Sequence, residues 1–538
     1  GSYYAGIGYN YSKGLPIDNY YQRITATFNA DYKLREWFTS YTNLSFADAK
    51  WKGLPPTQGD EASYFSRMLS APPTMRGYNA NGELLLGVNS GDGNQAVNIK
   101  RFTRDNNTDK FTIAQSFKID FYKYLFLKLS ATWYYDEGVY ESFNKDYLSS
   151  PGNWNRTRSS SAKFERSLNQ TYNAVLNFNK QFGADHNVSA LAGIEYFDKY
   201  YKGFSASGSG APTDDFADLS LTSSEKDKRS IDSWHQRERI LSYFGRANYD
   251  FKGKYLLSAV FREDGYSRLL GDNRWGFFPG VSAGWIVGNE SFMDSLKDVV
   301  SFAKIRASYG LNGNVSDIGP YELQGSYGST KYNGEIGYLL GSIPNPFLKW
   351  EKSRTFETGF DLSFLDNMIS TNFTYYNRLT TDKYANIQLP SSSGISGIRS
   401  NNGEIQNQGV EIEAGVKILR SKDWTWDVNA NIAFNKNVIK KLPNNGLERN
   451  RQSAFQVYDP KTGNLIWVGG YQEGQEPGAI YAFKSEGIYQ SYDEIPGNLI
   501  DKTSGNNGSN GLVLYGPEKW ASMSEAEKIK SNGYAAAL

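Results

Sequence analysis

The feature that most constrains the fold is an alternation of apolar and polar residues with a period of two, which recurs along most of the chain. Within residues 243–264 it is interrupted at Lys252 and Gly253 and resumes at Tyr255. This pattern predicts a β-hairpin with one apolar and one polar face. About fifteen such strands are predicted, most of them near the roughly 9–11 residues that a tilted strand needs to cross a bilayer. The predicted strands are residues 3–11, 22–34, 37–48, 109–121, 125–136, 168–179, 187–199, 239–251, 254–264, 276–288, 301–310, 353–364, 368–378, 408–418 and 424–435.

The connections between these strands alternate between short and long. Short links are expected at 35–36, 122–124, 180–186, 252–253, 365–367 and 419–423, with a longer one at 289–300. Long loops are expected at 49–108, 137–167, 200–238, 311–352, 379–407 and 436–478, with a brief one at 265–275. Tight turns at one end and large loops at the other are typical of outer-membrane barrels. The predicted fold class is therefore all-β, a transmembrane antiparallel up-and-down β-barrel.

Side-chain chemistry along the strands agrees with a bilayer on one face and water on the other. Leu125, Leu127 and Leu129 alternate with Lys128 and Ser130. Charged residues on the inner face predict a wet lumen. Aromatic residues recur beside the short turns, where an interfacial girdle is expected. They are Tyr32, Trp37, Tyr122, Tyr124, Tyr249, Phe251, Tyr255, Phe364, Trp424 and Trp426.

Composition argues against an enzyme. The chain has no Cys and only 2 His residues, which removes disulfides, Cys-based zinc sites and thiol nucleophiles. We expect His186 and His235 to be solvated, and Glu263 with Asp264 to form a charged rim. No catalytic, metal-binding or cofactor-binding residues are predicted. With Lys+Arg 58 against Asp+Glu 57, the net charge of +1 gives no electrostatic footprint for nucleic acid.

The predicted long loops carry large aromatic side chains that are candidates for substrate binding. Their rings could stack on sugars or hold a partner protein, and the simpler alternative is that they pack within the loops. The candidates are Trp51, Trp154, Trp234, Tyr321, Trp350 and Trp467. Tyr332 and Tyr471 are further aromatic residues of the predicted loops.

Several stretches resemble a known family. LKWEKSRTFETGFDLSFLDN (348–367), YYNRLTTDKY (375–384) and NNGEIQNQGVEIEAG (401–415) are similar to the barrel of SusC/RagA-type TonB-dependent transporters. FREDGYSRLLGDNRWGFFPGVSAGWIVGNESF (261–292) and IRASYGLNGN (305–314) carry the same resemblance. We read Gly359 and Gly409 as backbone requirements within strands, and Asp366 with Asn367 as turn residues.

The resemblance implies an importer in the outer membrane of a Gram-negative bacterium. It implies a plugged barrel energised by TonB, a SusD-like surface lipoprotein as partner, and oligosaccharides or peptides as substrates. Residues 1–538 would supply about 15–16 of the roughly 22 strands of such a barrel. Because the pattern starts within a strand and a barrel must close, we expect the plug, the TonB-contacting segment and the last strands to lie outside this chain.

Two alternatives remain open from the sequence. A passive porin or a siderophore receptor would keep the barrel and change the cargo. A secreted protein of several β-sandwiches that binds carbohydrate or degrades glycosides would place loops at both ends of each domain.

Overall fold

A computed structural model of the chain describes residues 1–16, 18–53, 69, 73–85, 94–150, 153–333, 335–458, 464–480, 498–500, 513–515, 522, 524 and 533–535. They fall into two units, Gly1–Glu290 with Ile318–Leu323, and Ser291–Asp317 with Gln324–Leu538. Within these ranges, no helix combines the length and the apolar character needed to cross a membrane.

The first unit is built on strands that pair in chain order. Ten of them form the ordered sheet, β1, β2, β3, β4, β5, β8, β9, β10, β11 and β12, and β6 pairs with β7 as a separate hairpin. Their bounds are β1 Ser2–Lys13, β2 Tyr20–Arg35, β3 Phe38–Lys52, β4 Phe102–Tyr122, β5 Leu125–Asn144, β6 Tyr147–Ser150, β7 Asn153–Asn155, β8 Ser159–Phe182, β9 His186–Ser209, β10 Arg229–Phe251, β11 Tyr255–Tyr266 and β12 Trp275–Trp285. The short helix α1, Gln95–Lys100, precedes β4 and is capped by the side chain of Asn94.

In the second unit, five strands also pair with their neighbours in chain order: β13, β16, β17, β18 and β19. The strands of this unit are β13 Val300–Asn314, β14 Ser326–Tyr332, β15 Glu335–Ser342, β16 Glu351–Phe364, β17 Ile369–Gln388, β18 Gly397–Arg420, β19 Thr425–Lys441, β20 Phe455–Tyr458, β21 Leu465–Val468, β22 Asn498–Ile500, β23 Val513–Tyr515 and β24 Gly533–Ala535. Single 3-10 turns in the chain are Leu219–Leu221, Lys226–Lys228, Gly271–Arg274, Val287–Asn289, Ser291–Leu296, Glu322–Gln324, Ser391–Ser393 and Glu448–Asn450.

All fifteen predicted strands are present, but several run further than predicted at the long-loop end. β5 continues to Asn144 instead of residue 136, β9 continues to Ser209, and β10 begins at Arg229. The predicted loops 137–167 and 200–238 are therefore partly strand, and His235 lies in β10 instead of a loop. The physical reason is that polar residues occupy both faces of these extensions, as in RSIDSWHQRE at the start of β10. The apolar alternation then disappears from the sequence, while backbone pairing continues.

The hairpin of β10 and β11 shows how the faces are set. Phe251 pairs with Tyr255 across a turn of three residues, 252–254, one residue longer than predicted; within it Lys252 and Gly253 adopt left-handed backbone, with φ 59° and 60°. This is the geometry of the tight turn that suits the twist of paired strands. One face, here called the apolar face, carries Leu257 and Phe261, whose side chains are 55% and 45% exposed. Exposed apolar side chains on a regular sheet face call for a nonaqueous neighbour.

The opposite face, here called the polar face, is a network of charged and amide groups. Ser258 donates to Asn248 Oδ1 over 2.7 Å, and Asn248 donates to Ser189 over 3.0 Å. Arg262 contacts Glu195 over 2.8 Å and Asp264 over 2.7 Å. The predicted division of this hairpin into an apolar and a polar side is confirmed by these contacts.

The short turns gather aromatic rings, as predicted from their positions. Tyr122 stacks on Tyr124 with ring centroids 6.3 Å apart. Tyr255 stacks on Phe251 at 6.3 Å and on Trp285 at 6.5 Å. His186 is exposed and its Nδ1 lies 2.7 Å from the Tyr249 hydroxyl. That this row lies at a membrane interface stays a prediction.

Glu290 stabilises the connection that follows β12. Its carboxylate accepts from Lys254 Nζ over 2.9 Å, from the Tyr255 hydroxyl over 2.7 Å and from Trp285 Nε1 over 3.1 Å. These hydrogen bonds, first that from Lys254, lower the pKa of Glu290 to about 2. The carboxylate therefore stays ionised and joins two neighbouring hairpin ends.

Two strand glycines are required by close backbone approach. A β-carbon at Gly359 would come within 2.1 Å of the Phe373 carbonyl oxygen, and one at Gly409 within 2.3 Å of that of Phe434. Asp366 and Asn367 have φ values of 51° and 61° in the turn between β16 and β17. The sequence-based interpretation of all four residues is confirmed.

Candidate functional site

The structure divides the predicted loop aromatics into three groups. Trp51 lies at the end of β3 and Trp234 within β10, so the prediction that they belong to loops is wrong. Trp350 is only 5% exposed and offers almost no surface to a ligand. The other candidates are exposed at separate places, Trp154 on β7, Tyr321 before a 3-10 turn, Tyr332 on β14, Trp467 on β21 and Tyr471 beyond it.

Trp51 and Trp234 meet on one face of the first unit because strand register aligns them. Trp51 is opposite Asn106, which is opposite Tyr140, which is opposite Lys163. Trp234 is opposite Gly203, which is opposite Glu165, two residues from Lys163. Since side chains alternate across a strand, Trp234 shares its face with Arg246 and Asn248. The group therefore lies on the polar face.

The rings and one cation form a continuous surface, which we call the polar-face aromatic cluster: Trp51, Tyr140, Lys163 and Trp234. Trp51 meets Tyr140 edge to face with ring centroids 6.1 Å apart. Lys163 Nζ lies 5.8 Å from the Tyr140 ring centroid and 5.7 Å from that of Trp234. An ammonium at this range is attracted by both ring faces. The cation thus joins the two aromatic side chains.

Neighbouring groups hold the cluster in place. Lys163 Nζ forms an ion pair with Glu165 Oε1 over 2.6 Å, and the Tyr201 hydroxyl donates to Glu165. Asn106 Nδ2 donates to the backbone carbonyl of Trp51 over 3.0 Å. Gly203 leaves the space that the Trp234 indole fills, because a β-carbon there would lie 2.6 Å from ring carbon Cζ2. These contacts fix the ring orientations before any ligand arrives.

Chemically, the cluster can stack, donate and accept hydrogen bonds, and attract partial negative charge. Aromatic faces stack on the apolar faces of sugars and on peptide side chains. The ammonium of Lys163 and the adjoining carboxylate of Glu165 are exposed enough to exchange partners, with side chains 44% and 23% accessible. In the part of the chain that the structure describes, no group of three or more His, Cys, Asp or Glu residues is placed to hold a metal ion.

Sequence reasoning found the two tryptophans and missed their partners. Tyr140, Lys163, Glu165, Tyr201 and Gly203 fall in or beside predicted loops. The alternation of Lys163 and Glu165 with Phe164 and Arg166 was the available sign of a strand there. Cross-strand register, which brings all of them together, cannot be read from a single sequence.

The second unit has its own polar cavity, of about 510 Å³. It is lined by Asp361, Asn372, Glu413, Asn429 and Asn431, among others. At its edge Arg306 donates to Thr374 over 2.6 Å and to Asn372 over 3.2 Å, and its Nε lies 3.4 Å from Asp361. Because the named lining side chains are amides and carboxylates, this part of the cavity is suited to binding water and polar groups.

Comparison with known proteins finds one family model and several relatives that are similar to the chain. The family model described as "TonB dependent receptor-like, beta-barrel" matches residues 57–509. TonB-dependent receptor P39 of Formosa agariphila is 26% identical over 497 residues, which are 91% of this chain and 45% of P39. TonB-dependent receptor SusC of Bacteroides thetaiotaomicron is 29% identical over 359 residues, 65% of this chain and 34% of SusC. The chain thus spans less than half the length of these curated relatives.

Among solved structures, the RagAB peptide importer in its closed-closed state matches with a TM-score of 0.73 and 23% sequence identity, over 88% of this chain and 52% of that one. This likeness shows the fold. Together with the family match and the ordered antiparallel strands, it confirms the predicted transmembrane up-and-down barrel and rules out the alternative of several β-sandwiches. The resemblance to SusC/RagA-type proteins is also confirmed.

Proposed function

The chain belongs to the TonB dependent receptor-like β-barrel family, and from this premise we propose that it forms part of the wall of an energised importer in the outer membrane of a Gram-negative bacterium. The matched residues, 57–509, include every ordered strand from β4 to β19. Members of this family are receptors and transporters, which agrees with the prediction that the chain is not an enzyme.

The proposed substrates are oligosaccharides or peptides, captured together with a SusD-like lipoprotein that covers the barrel from outside. The observation that carries this proposal is the likeness to SusC combined with the polar-face aromatic cluster. The likeness to the RagAB peptide importer supports peptides as one of the two classes. TonB would act through another segment of the complete protein.

In this proposal the cluster receives the substrate on the channel side of the extended strands. Trp51 and Trp234 supply stacking surfaces, Lys163 attracts carbonyl or hydroxyl oxygens, and Glu165 accepts hydrogen bonds. The exposed residues Trp154, Tyr321 and Trp467 remain candidate contacts to substrate or to the lipoprotein. Because the cluster lies towards the long-loop ends of its strands, an entering substrate would reach it before the membrane-spanning part and before any gate opens.

The test uses the complete receptor, expressed with the neighbouring lipoprotein gene. Uptake of fluorescent oligosaccharides and peptides of graded length is compared in wild-type cells, in cells lacking TonB and in cells carrying Trp234→Ala or Trp51→Ala. We expect uptake of one class to require TonB and to fall in both variants, whereas Trp424→Ala, at a short turn, should leave it unchanged.

Uptake that continues without TonB would indicate a passive porin. Growth that depends on the receptor only under iron limitation would indicate a siderophore receptor. Either result would contradict the proposed function.

A further inference from the structure

A short segment of the first unit, outside the cluster, carries an aromatic side chain on strained backbone. Ile318–Leu323 belongs to the first unit, although the residues on both sides of it belong to the second. We call this segment the strap. Within it, Tyr321 has φ 57° and is 69% exposed. Left-handed backbone is uncommon for a bulky residue and persists only where the surrounding contacts impose it.

The strap is fixed on both sides of Tyr321. Ile318 and Leu323 are 1% and 2% exposed, so the apolar side chains at its two ends are packed. The Gly319 N–H donates to Glu322 Oε2 over 2.7 Å, which joins the residues that flank Tyr321. The strap therefore buries its ends and exposes the ring between them.

Arg268 anchors the strap to the polar face of β10. Its Nη1 donates to the Ile318 carbonyl over 2.7 Å. Its Nη2 lies 3.3 Å from Gln236 Oε1 and 3.2 Å from Glu238 Oε2. Gln236 and Glu238 follow Trp234 by two and four residues, so they share its face of the strand. The guanidinium thus joins the strap to the strand that carries one ring of the polar-face aromatic cluster.

The contacts of Glu238 hold this anchor in one orientation. The carboxylate accepts from the Tyr266 hydroxyl over 3.1 Å, and Lys199 Nζ lies 3.7 Å from it. Tyr266 is only 3% exposed, and the Arg268 side chain is 15% exposed. A planar guanidinium with three oxygen partners has little freedom to rotate, because its donors point in fixed directions. The strap is therefore positioned before any substrate arrives.

The strap adds an aromatic surface at one end of the cluster. Trp51 is on β3 and Trp234 on β10, five strand spacings apart in the order β3, β4, β5, β8, β9 and β10. At about 4.8 Å for each spacing, this is about 24 Å along the sheet. Because Arg268 follows β11 and contacts β10, the strap lies at the Trp234 end of this distance.

From these contacts we propose that Tyr321 is a substrate-contacting residue that favours long oligomers over short ones. The inference rests on the proposed function, in which the polar-face aromatic cluster binds oligosaccharides or peptides. A short oligomer reaches one or two of the aromatic surfaces, whereas a long one contacts Trp51, Trp234 and Tyr321 together. Each added ring contact increases affinity severalfold.

The fixed backbone of the strap supports this role. A ring that is already oriented loses less conformational freedom on binding than a ring on a mobile loop. Arg268 is a positioning residue in this arrangement, since it acts on the substrate only through the strap.

The test uses the complete receptor, purified in detergent together with the lipoprotein encoded by the neighbouring gene. Binding of fluorescent oligosaccharides and peptides of graded length is measured by anisotropy. Tyr321→Asn removes the ring and supplies a residue that tolerates left-handed backbone, so the strap keeps its conformation. This variant should bind long oligomers about fivefold more weakly than the wild type and the shortest ones equally well.

Three further variants complete the comparison. Tyr321→Trp retains an aromatic surface and should keep the preference for long oligomers. Arg268→Met removes the anchor and should weaken binding of long oligomers, as Tyr321→Asn does. Tyr122→Ala is the matched control, because Tyr122 is 67% exposed at a short turn, and it should bind every length as the wild type does. Heat-dependent mobility on a gel shows that each variant is folded.

Three outcomes would overturn the inference while leaving the proposed function intact. The first is a Tyr321→Asn receptor that binds every length as the wild type does. The second is equal weakening at every length, which would show a structural role. The third is release of the lipoprotein from this variant, which would make Tyr321 a contact to that protein. A wild-type receptor that binds neither series would contradict the proposed function and the inference with it.

Discussion

The indole ring of Trp234 lies directly against Gly203 of the neighbouring strand, leaving 2.6 Å between ring carbon Cζ2 and the place that a β-carbon would occupy. This is closer than real side-chain carbons approach, and the backbone carbonyl oxygen of Phe164 would lie only 2.7 Å away, so a larger residue at position 203 must move the ring and strain the pairing of β8 with β9. The orientation of Trp234 within the polar-face aromatic cluster therefore depends on the missing side chain at Gly203.

We expect Gly203→Val to tilt Trp234 away from the sheet and expose it to solvent. Acrylamide quenching of tryptophan emission should then increase. The increase should disappear when the same substitution is made in a Trp234→Phe background, because the displaced ring is then absent. Ser205→Val, on the same face of the same strand, serves as the control and should leave quenching unchanged. Unchanged quenching in Gly203→Val would mean that the ring does not rest on this glycine.

Glu290 makes stability depend on pH in a defined window. Its pKa is lowered to about 2 in the folded state, first by the hydrogen bond from Lys254, against 4.5 ordinarily. A lowered pKa stabilises the folded state above the ordinary value, and the stabilisation is lost as pH falls from about 4.5 to about 2. In Glu290→Gln the thermal midpoint should lose this part of its pH dependence, and Tyr255→Phe should weaken it.

A Glu290→Gln curve that parallels the wild type through the whole window would show that the carboxylate is not held by these donors. The measurement is a series of thermal unfolding curves in detergent between about pH 2 and about pH 6, followed by circular dichroism.

Gly359 and Gly409 should tolerate no side chain. A β-carbon would lie 2.1 Å and 2.3 Å from backbone carbonyl oxygens, which move only if the strand pair moves. We expect Gly359→Ala and Gly409→Ala each to lower the free energy of unfolding by about 2 kcal/mol or more. Gly328→Ala is the control, because nothing lies within 4 Å of the added carbon. Urea titration in detergent measures the difference, and equal unfolding free energies for the wild type and all three variants would contradict the close approach of these strands.

The strands and their membrane faces could be predicted because lipid imposes a chemical rule on every second residue. Leu257 and Ser258 illustrate the rule. Leu257 is exposed on the apolar face, whereas the next residue, Ser258, joins the hydrogen-bond network of the polar face. The turn residues Asp366 and Asn367 could also be predicted, because Asp and Asn tolerate left-handed backbone.

The polar-face aromatic cluster could not be predicted, because the alternation of apolar and polar residues weakens towards the long-loop ends of the strands. Lys163 and Glu165 belong to the first part of β8, Ser159–Phe182, which precedes the predicted strand at 168–179 and where the alternation is only a weak signal. The cluster joins β3, β5, β8 and β10, so its assembly depends on register across several strands. Trp350 illustrates the opposite error, because its position in a long connection predicts exposure, whereas its side chain is buried.

The central claim is that the apolar face of these strands contacts lipid while the polar face lines a water-filled channel. Because the chain has no Cys, Leu257→Cys and Ser258→Cys each give a single labelling site in adjacent positions of β11. With a fluorescent label in reconstituted bilayers, a quencher attached to lipid acyl chains should quench the label at position 257 and leave position 258 unaffected. Equal quenching at both positions, or quenching at 258 alone, would contradict the account.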